Sequence, residues 1–80
     1  MTFEEENDTI FAIEQNVFYK GKYHDELMWA EIKKVGAYWE LRWEDSYQEF
    51  RSFNLLEHAK HYVLVHKHEH SPHVNGYSYD

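Results

Sequence analysis

The stretch that decides the fold is Ala37–Val63, AYWELRWEDSYQEFRSFNLLEHAKHYV. Large and polar side chains alternate in it up to Phe53, which is the periodicity of a β-strand with one buried face. From Asn54 onward the apolar residues recur every three or four positions, as they do in an amphipathic helix. The pattern therefore predicts a β-hairpin that leads directly into a helix.

The predicted helix has a start signal and an apolar stripe. Asn54 is followed three positions later by Glu57, a pattern typical of a capping box, in which each side chain binds a free backbone N–H at the helix start. We predict that the helix continues to about Lys67. The residues expected to face the sheet are Leu55, Leu56, Ala59, Tyr62, Val63 and His66.

A fifth strand is the alternative for the second half of this helix. Tyr62–Val65, YVLV, is rich in β-branched and aromatic residues, which favour strands. The alternating histidines that follow could extend it. We prefer the helix because the start signal and the stripe precede this segment.

Three strands are predicted before the helix-forming segment, and a fourth leads into it. Thr9–Tyr19, TIFAIEQNVFY, has the composition of a strand and is followed by a turn at Lys20-Gly21-Lys22. A second turn at Val35-Gly36 would place Ile32 opposite Trp39 on an apolar face. A third turn at Asp45-Ser46 would pair Arg42 with Glu49 and Glu40 with Arg51 on the other face, and Leu41 with Phe50 on the apolar face.

These elements predict an α+β fold, a four-stranded antiparallel meander with one C-terminal helix packed on one face, in the order ββββα. The domain is expected to span residues 9–68. Residues 1–8 are predicted to form a disordered acidic N-terminus, and residues 69–80 a flexible C-terminal tail. The second face of the sheet would stay open.

Composition restricts the partners. Fifteen acidic and eight basic residues give a net charge of −7 with histidine neutral, which disfavours duplex nucleic acid because its affinity comes from cations that contact phosphates. The absence of cysteine excludes disulfides and thiolate zinc sites. No apolar run approaches the length of a membrane span, and no secretory signal pattern is visible. We therefore expect a cytoplasmic protein that binds neither duplex nucleic acid nor membrane.

Catalytic motifs are not found in the sequence. The three glycines form no nucleophile elbow, phosphate loop or dinucleotide fingerprint. Glu31 and Glu40 face each other in the predicted register, and paired carboxylates can perform acid–base chemistry. On an open sheet face, however, water screens them and Arg51 supplies a counter-charge. We predict that the protein is not an enzyme.

The open face is the predicted partner-binding surface, because Trp, Tyr and Arg ringed by charge are typical of protein-binding hot spots. Its predicted residues are Trp29, Glu31, Tyr38, Glu40, Arg42, Tyr47, Glu49 and Arg51. A small acidic protein of this kind suits a regulator or inhibitor of another protein, including one encoded by a phage or mobile element. Its carboxylates could also mimic the phosphates of a nucleic acid. The edge strands Thr9–Tyr19 and Tyr47–Ser52 could instead pair in a homodimer.

The histidines near the C-terminus suggest a competing function. His66, His68 and His70 alternate, so an extended segment could present their imidazoles together to Zn²⁺ or Ni²⁺. Six histidines in the last third of the chain would also begin to gain charge near pH 6. The alternative is therefore a metal-binding or pH-responsive protein; no other cofactor is expected.

Overall fold

The computed structural model describes residues 1–79 as an antiparallel sheet with one α-helix. The helix, α1, spans Leu56–His66, and 3₁₀ turns span Glu44–Ser46 and Lys67–Glu69. The strands are β1 Thr2–Glu6, β2 Thr9–Tyr19, β3 Lys22–Val35, β4 Tyr38–Trp43, β5 Arg51–Phe53, β6 His73–Val74 and β7 Ser78–Tyr79.

The sheet is a meander that is larger than the sequence predicts. Strands β1 to β5 lie in chain order, and β6 and β7 both pair with β3. The α+β class, the antiparallel sheet and the single C-terminal helix are confirmed, whereas the four-strand count is too low. None of the helices within residues 1–79 has the length and apolar character needed to cross a membrane.

The acidic N-terminus forms a strand, contrary to the prediction. Residues 2–6, expected to be disordered, form β1, in which Glu6 pairs with Thr9. The two residues between them, Asn7 and Asp8, have φ values of 49° and 62°. Both angles suit the tight hairpin turn that Asn and Asp tolerate best, so the turn chemistry is what orders this segment. Strand β2 is consequently no edge strand over the residues that β1 covers.

The C-terminal tail pairs with the sheet, contrary to the prediction. Strand β3 continues beyond the end of β4 and leaves its backbone unpaired from Tyr23 to Met28 on that side. The tail fills this edge, with Val74 opposite Leu27 and Tyr79 opposite Tyr23. Because unpaired strand edges favour any available partner strand, the segment predicted to be flexible adds two short strands to β3.

The β3–β4 hairpin keeps the predicted faces but shifts its register by two residues. Ile32 lies opposite Leu41 instead of Trp39, and the two-residue loop is Gly36-Ala37. Gly36 has a φ of 60°, which suits glycine at the first position of such a loop. Since a two-residue shift leaves side-chain parity unchanged, Trp39 and Leu41 still face the helix.

The β4–β5 connection differs more strongly from the prediction. The expected tight turn at Asp45-Ser46 is a 3₁₀ turn followed by an irregular segment to Phe50, and Leu41 pairs with Arg51. This one-residue change of register moves Arg51 to the helix side and leaves Phe50 exposed. The predicted pairs Arg42–Glu49 and Glu40–Arg51 are therefore wrong.

A β-bulge in β3 decides the position of Trp29. Ala12 pairs with Ala30 while the next residue, Ile13, pairs with Met28, so Trp29 is an extra residue on β3. The bulge brings Trp29 to the same side as Ala30. The indole is 5% exposed and belongs to the core, so the expectation that it lies on the open face is wrong.

The helix packs on this inner face. Ala59 and Val63 have no exposed surface, and Leu56 and Tyr62 pack beside them. The helix ends at His66, which confirms the helix over the alternative of a fifth strand. The predicted capping box is not formed, because Leu55 is the N-cap and no side chain binds the helix start.

Candidate protein-binding face

The strand registers define the second face of the sheet residue by residue, because directly opposed residues in antiparallel strands point to the same side. One row across this outer face is Glu4, Phe11, Glu31 and Arg42, and the next is Glu6, Thr9, Lys33 and Glu40. Ala59 and Val63 of the helix pack instead with the inner-face core. Within residues 1–79 no helix covers the outer face.

An apolar groove lies on this face. Phe11, Ile13 and Met28 line it, and its volume is about 220 Å³. Ile13 is 2% exposed, although it does not belong to the core beneath the helix. We call this feature the acidic groove, because carboxylates line it together with the apolar residues. Its full set is Glu4, Glu6, Phe11, Ile13, Glu26, Met28 and Asn75.

A cluster organised by Arg42 adjoins the groove. The Arg42 guanidinium donates to the Tyr47 carbonyl at 2.9 Å and to Glu40 at 3.0 Å, and it lies 4.9 Å from the centre of the Phe50 ring. The Tyr47 hydroxyl donates to the Glu31 carboxylate. We call Glu31, Glu40, Arg42, Tyr47 and Phe50 the Arg42 cluster. Phe11 directly opposes Glu31, so the cluster and the groove form one continuous surface.

Negative charge is concentrated near this surface. The hydrogen bond to Glu31, assisted by partial burial, raises the pKa of Tyr47. Partial burial raises the pKa of Glu44, nearby His73 lowers it, and nearby Glu31 adds to the rise. Because both shifts include repulsion from Glu31, the acidic character of the face is a property of the folded arrangement as well as of composition.

Four of the eight predicted binding residues come together in the Arg42 cluster: Glu31, Glu40, Arg42 and Tyr47. Tyr38 lies at the start of β4, opposite Val35, and Glu49 is exposed in the β4–β5 connection. Trp29 and Arg51 lie on the helix side, where Arg51 donates to the Tyr62 hydroxyl at 3.1 Å.

The predicted carboxylate pair is also separated. Glu31 opposes Arg42, and Glu40 opposes Lys33, so each carboxylate faces a cation. The two carboxylates therefore do not form the facing pair that the sequence predicts.

Sequence reasoning missed the groove itself. Phe11 and Ile13 have the same parity, a signal that was visible in the sequence. The prediction of a disordered N-terminus leaves Glu4 and Glu6 off the sheet, although the turn residues Asn7-Asp8 are a signal that places them on it.

The three histidines of the predicted metal site have different partners. His66 contacts Glu69 at 2.6 Å and stacks on Tyr62, whereas His70 contacts Asp45 at 2.9 Å. His68 is mostly exposed. In the part of the chain that the structure describes, no group of three His, Asp or Glu residues is arranged to hold a metal ion.

Asp45 instead anchors the end of the helix region to the sheet. Its carboxylate contacts His70 and accepts from the Ser71 backbone N–H at 2.9 Å, while the His70 ring stacks on Trp43 with 3.8 Å between ring centres. Partial burial would raise the pKa of Asp45, but the hydrogen bonds from His70 and Ser71 outweigh it and hold the pKa below its usual value.

Replacing Asp45 by asparagine is therefore expected to lower the free energy of unfolding at pH 7 by about 1 to 2 kcal/mol. A carboxyl whose folded-state pKa is depressed stabilises the fold above its unfolded pKa of about 3.9, and this contribution is lost as pH falls through the folded value. Urea unfolding at a series of pH values checks this, with Glu57→Gln as an exposed control. A difference between wild type and Asp45→Asn that is as large at pH 2 as at pH 7 would contradict the assignment.

Comparison of the chain with models of protein families, with curated proteins and with solved structures gives no match.

Proposed function

We propose that this chain is a small, non-enzymatic, cytoplasmic protein-binding module that acts as a regulator or inhibitor through its outer sheet face. The observation that carries the proposal is the acidic groove, an apolar strip on a sheet face that no described helix covers. Apolar surface bordered by polar and charged groups is typical of protein-interaction sites.

The Arg42 cluster supports the same function. It combines Tyr47, Phe50 and Arg42, the residue types that are enriched in the centres of protein interfaces. Tyr47 and Phe50 are 48% and 55% exposed. Arg42 is already held by Glu40 and by the Tyr47 carbonyl, so a partner would meet a largely ordered surface and lose little side-chain entropy on binding.

Several groups that could perform chemistry elsewhere in the molecule are paired with one another. Asp45 binds His70, and Lys67 binds Glu14 at 2.7 Å. These pairs connect the C-terminal region to the sheet, so a structural role accounts for them.

A nucleic-acid mimic is one version of the proposed function. The rows of the outer face carry Glu4, Glu6 and Glu31, and such a field could occupy a partner's nucleic-acid site. Because charge would dominate that version, its affinity should fall steeply with salt. The apolar strip between the carboxylates supports a partner contact that also includes hydrophobic burial.

Replacing Phe11 by lysine is expected to abolish partner binding while the fold is kept. The new ammonium would lie between Glu4 and Glu31, which are directly opposite on the neighbouring strands, and would therefore be compensated in the free protein. The substitution would also remove the largest apolar side chain of the groove. The matched control is Leu64→Lys, which places the same charge on the helix at a residue that is 49% exposed.

The measurement is quantitative capture from native lysate with wild type and both variants, after circular dichroism has shown that all three are folded. Retention of the same proteins by wild type and Leu64→Lys, and their loss from Phe11→Lys, would support the proposal. Retention of these proteins by Phe11→Lys at the wild-type level would contradict the proposal. Their loss from Leu64→Lys alone would also contradict it.

A further inference from the structure

We infer that the acidic groove binds a cationic segment of the partner protein, one that presents an apolar side chain between lysine or arginine residues. The inference rests on the proposed function and specifies the chemistry of the partner at that site. Two features of the groove lead to it: the charge of its carboxylates and its apolar floor.

The first feature is the charge of Glu4 and Glu6 on β1. Within residues 1–79, no lysine, arginine or histidine makes an ion pair with Glu4 or Glu6. Glu26 accepts from the neutral amide of Asn75 at 2.6 Å. By contrast, Glu31 and Glu40 each oppose a cation on a neighbouring strand. Among the described residues of the outer face, the uncompensated negative charge therefore lies at Glu4 and Glu6, which line the acidic groove.

The second feature, the apolar floor, determines that the partner segment must also present an apolar side chain. Phe11 and Met28 are partly exposed beside the fully buried Ile13. A purely ionic partner would leave these side chains in water, whereas an inserted aliphatic or aromatic side chain would bury them. A groove of about 220 Å³ has room for one such side chain, so the partner segment should contain a single apolar anchor.

A second copy of the chain is the main rival occupant. Its β2–β3 hairpin carries Phe18, which is 73% exposed and precedes Lys20 by two residues. That tip has the right local chemistry. However, two chains that each carry a net charge of −7 repel each other, whereas a cationic partner gains from the same field. The charge balance therefore favours a cationic segment of a different protein.

The test uses a fluorescein-labelled peptide with one leucine flanked by lysines, titrated with the protein and followed by anisotropy. The first comparison peptide has serine in place of leucine, and the second has glutamate in place of the lysines. The rim variant is Glu4→Gln with Glu6→Gln. Its matched control is Glu5→Gln with Glu57→Gln, which removes the same charge from β1 and the helix outside the groove.

We expect the rim variant to bind the lysine–leucine peptide about three- to tenfold more weakly than wild type, since each exposed ion pair adds only a modest amount to affinity in water. The control variant should bind it like wild type, and both comparison peptides should bind more weakly than the lysine–leucine peptide. Equal loss in the rim and control variants would overturn the inference, because the attraction would then be general. If the serine peptide bound as tightly as the lysine–leucine peptide, the inference that the partner segment contains an apolar anchor would be wrong.

Two outcomes separate this inference from the proposed function. If lysate proteins depend on Phe11 but the lysine–leucine peptide does not bind, the face binds a partner of other chemistry and only the inference fails. If sedimentation shows a dimer of the protein alone that Phe11→Lys dissociates, the occupant is a second copy and the inference is overturned.

Discussion

Replacing Trp29 by alanine is expected to lower the free energy of unfolding by about 3 kcal/mol, at the lower end of the range for buried aromatic residues. The indole is 5% exposed and packs edge-on against Tyr19 with 5.8 Å between ring centres. The Lys67 ammonium lies 5.5 Å from its ring centre. The lower end is expected because the indole N–H is buried without a hydrogen-bond partner, which reduces the net contribution of the side chain.

Urea unfolding of the Trp29→Ala variant checks this, with Phe18→Ala as the control. Phe18 is an aromatic residue that is 73% exposed, so its loss should cost less than about 1 kcal/mol. If the two variants were equally stable, Trp29 would lie on the open face and β3 would have no bulge at this residue.

Replacing Ala59 by aspartate is expected to prevent folding. Ala59 has no exposed surface and lies in the core cluster between the helix and the sheet. A carboxylate at this position would be buried without a partner, which costs several kcal/mol and therefore most of the stability of a small domain. The small methyl group also sets the close approach of the helix to the strands.

The matched control for this variant is His61→Asp, which introduces the same side chain on the same helix at an exposed position. Far-ultraviolet circular dichroism and thermal unfolding measure both variants. The control should melt within a few degrees of wild type, while Ala59→Asp should show no cooperative transition. A cooperative transition for Ala59→Asp near the wild-type temperature would show that the helix does not pack on the sheet through this residue.

The helix and its packing face could be predicted from the sequence because their signals are local. Apolar residues at helical spacing place Ala59 and Val63 on one side, and both are fully buried. The predicted start was less accurate, since the cap lies at Leu55 and the capping box of Asn54 and Glu57 is not formed. Packing of the helix against the sheet outweighs the cap as the source of helical stability.

The position of Trp29 could not be predicted, because it depends on a single extra residue in β3. Strict alternation places Trp29 and Ala30 on opposite faces, whereas the bulge brings both to the helix side. The β4–β5 connection poses the same problem, since its length sets the face of Arg51. Both features depend on which register buries the most apolar surface across the whole sheet, and a local pattern does not contain that information.

The candidate site was therefore only half predictable. Glu31, Glu40 and Arg42 follow from alternation along β3 and β4, which are long enough to define their outer side chains. Phe50 does not, because the predicted tight turn places it opposite Leu41 on the apolar face. The acidic groove depends on β1 and on the tail, and a composition of clustered carboxylates or histidines resembles that of a disordered segment. Asn75, which contacts Glu26, had no sequence signal that linked it to the sheet.

The central claim is that a partner protein covers the outer sheet face, and methyl NMR of the labelled protein tests it most directly. On addition of the captured partner, we expect the methyl signals of Ile13 and Met28 to shift or broaden. Those of Leu64 and Val65, exposed on the helix, should stay unchanged. Shifts confined to Leu64 and Val65, with Ile13 and Met28 unaffected, would contradict the account.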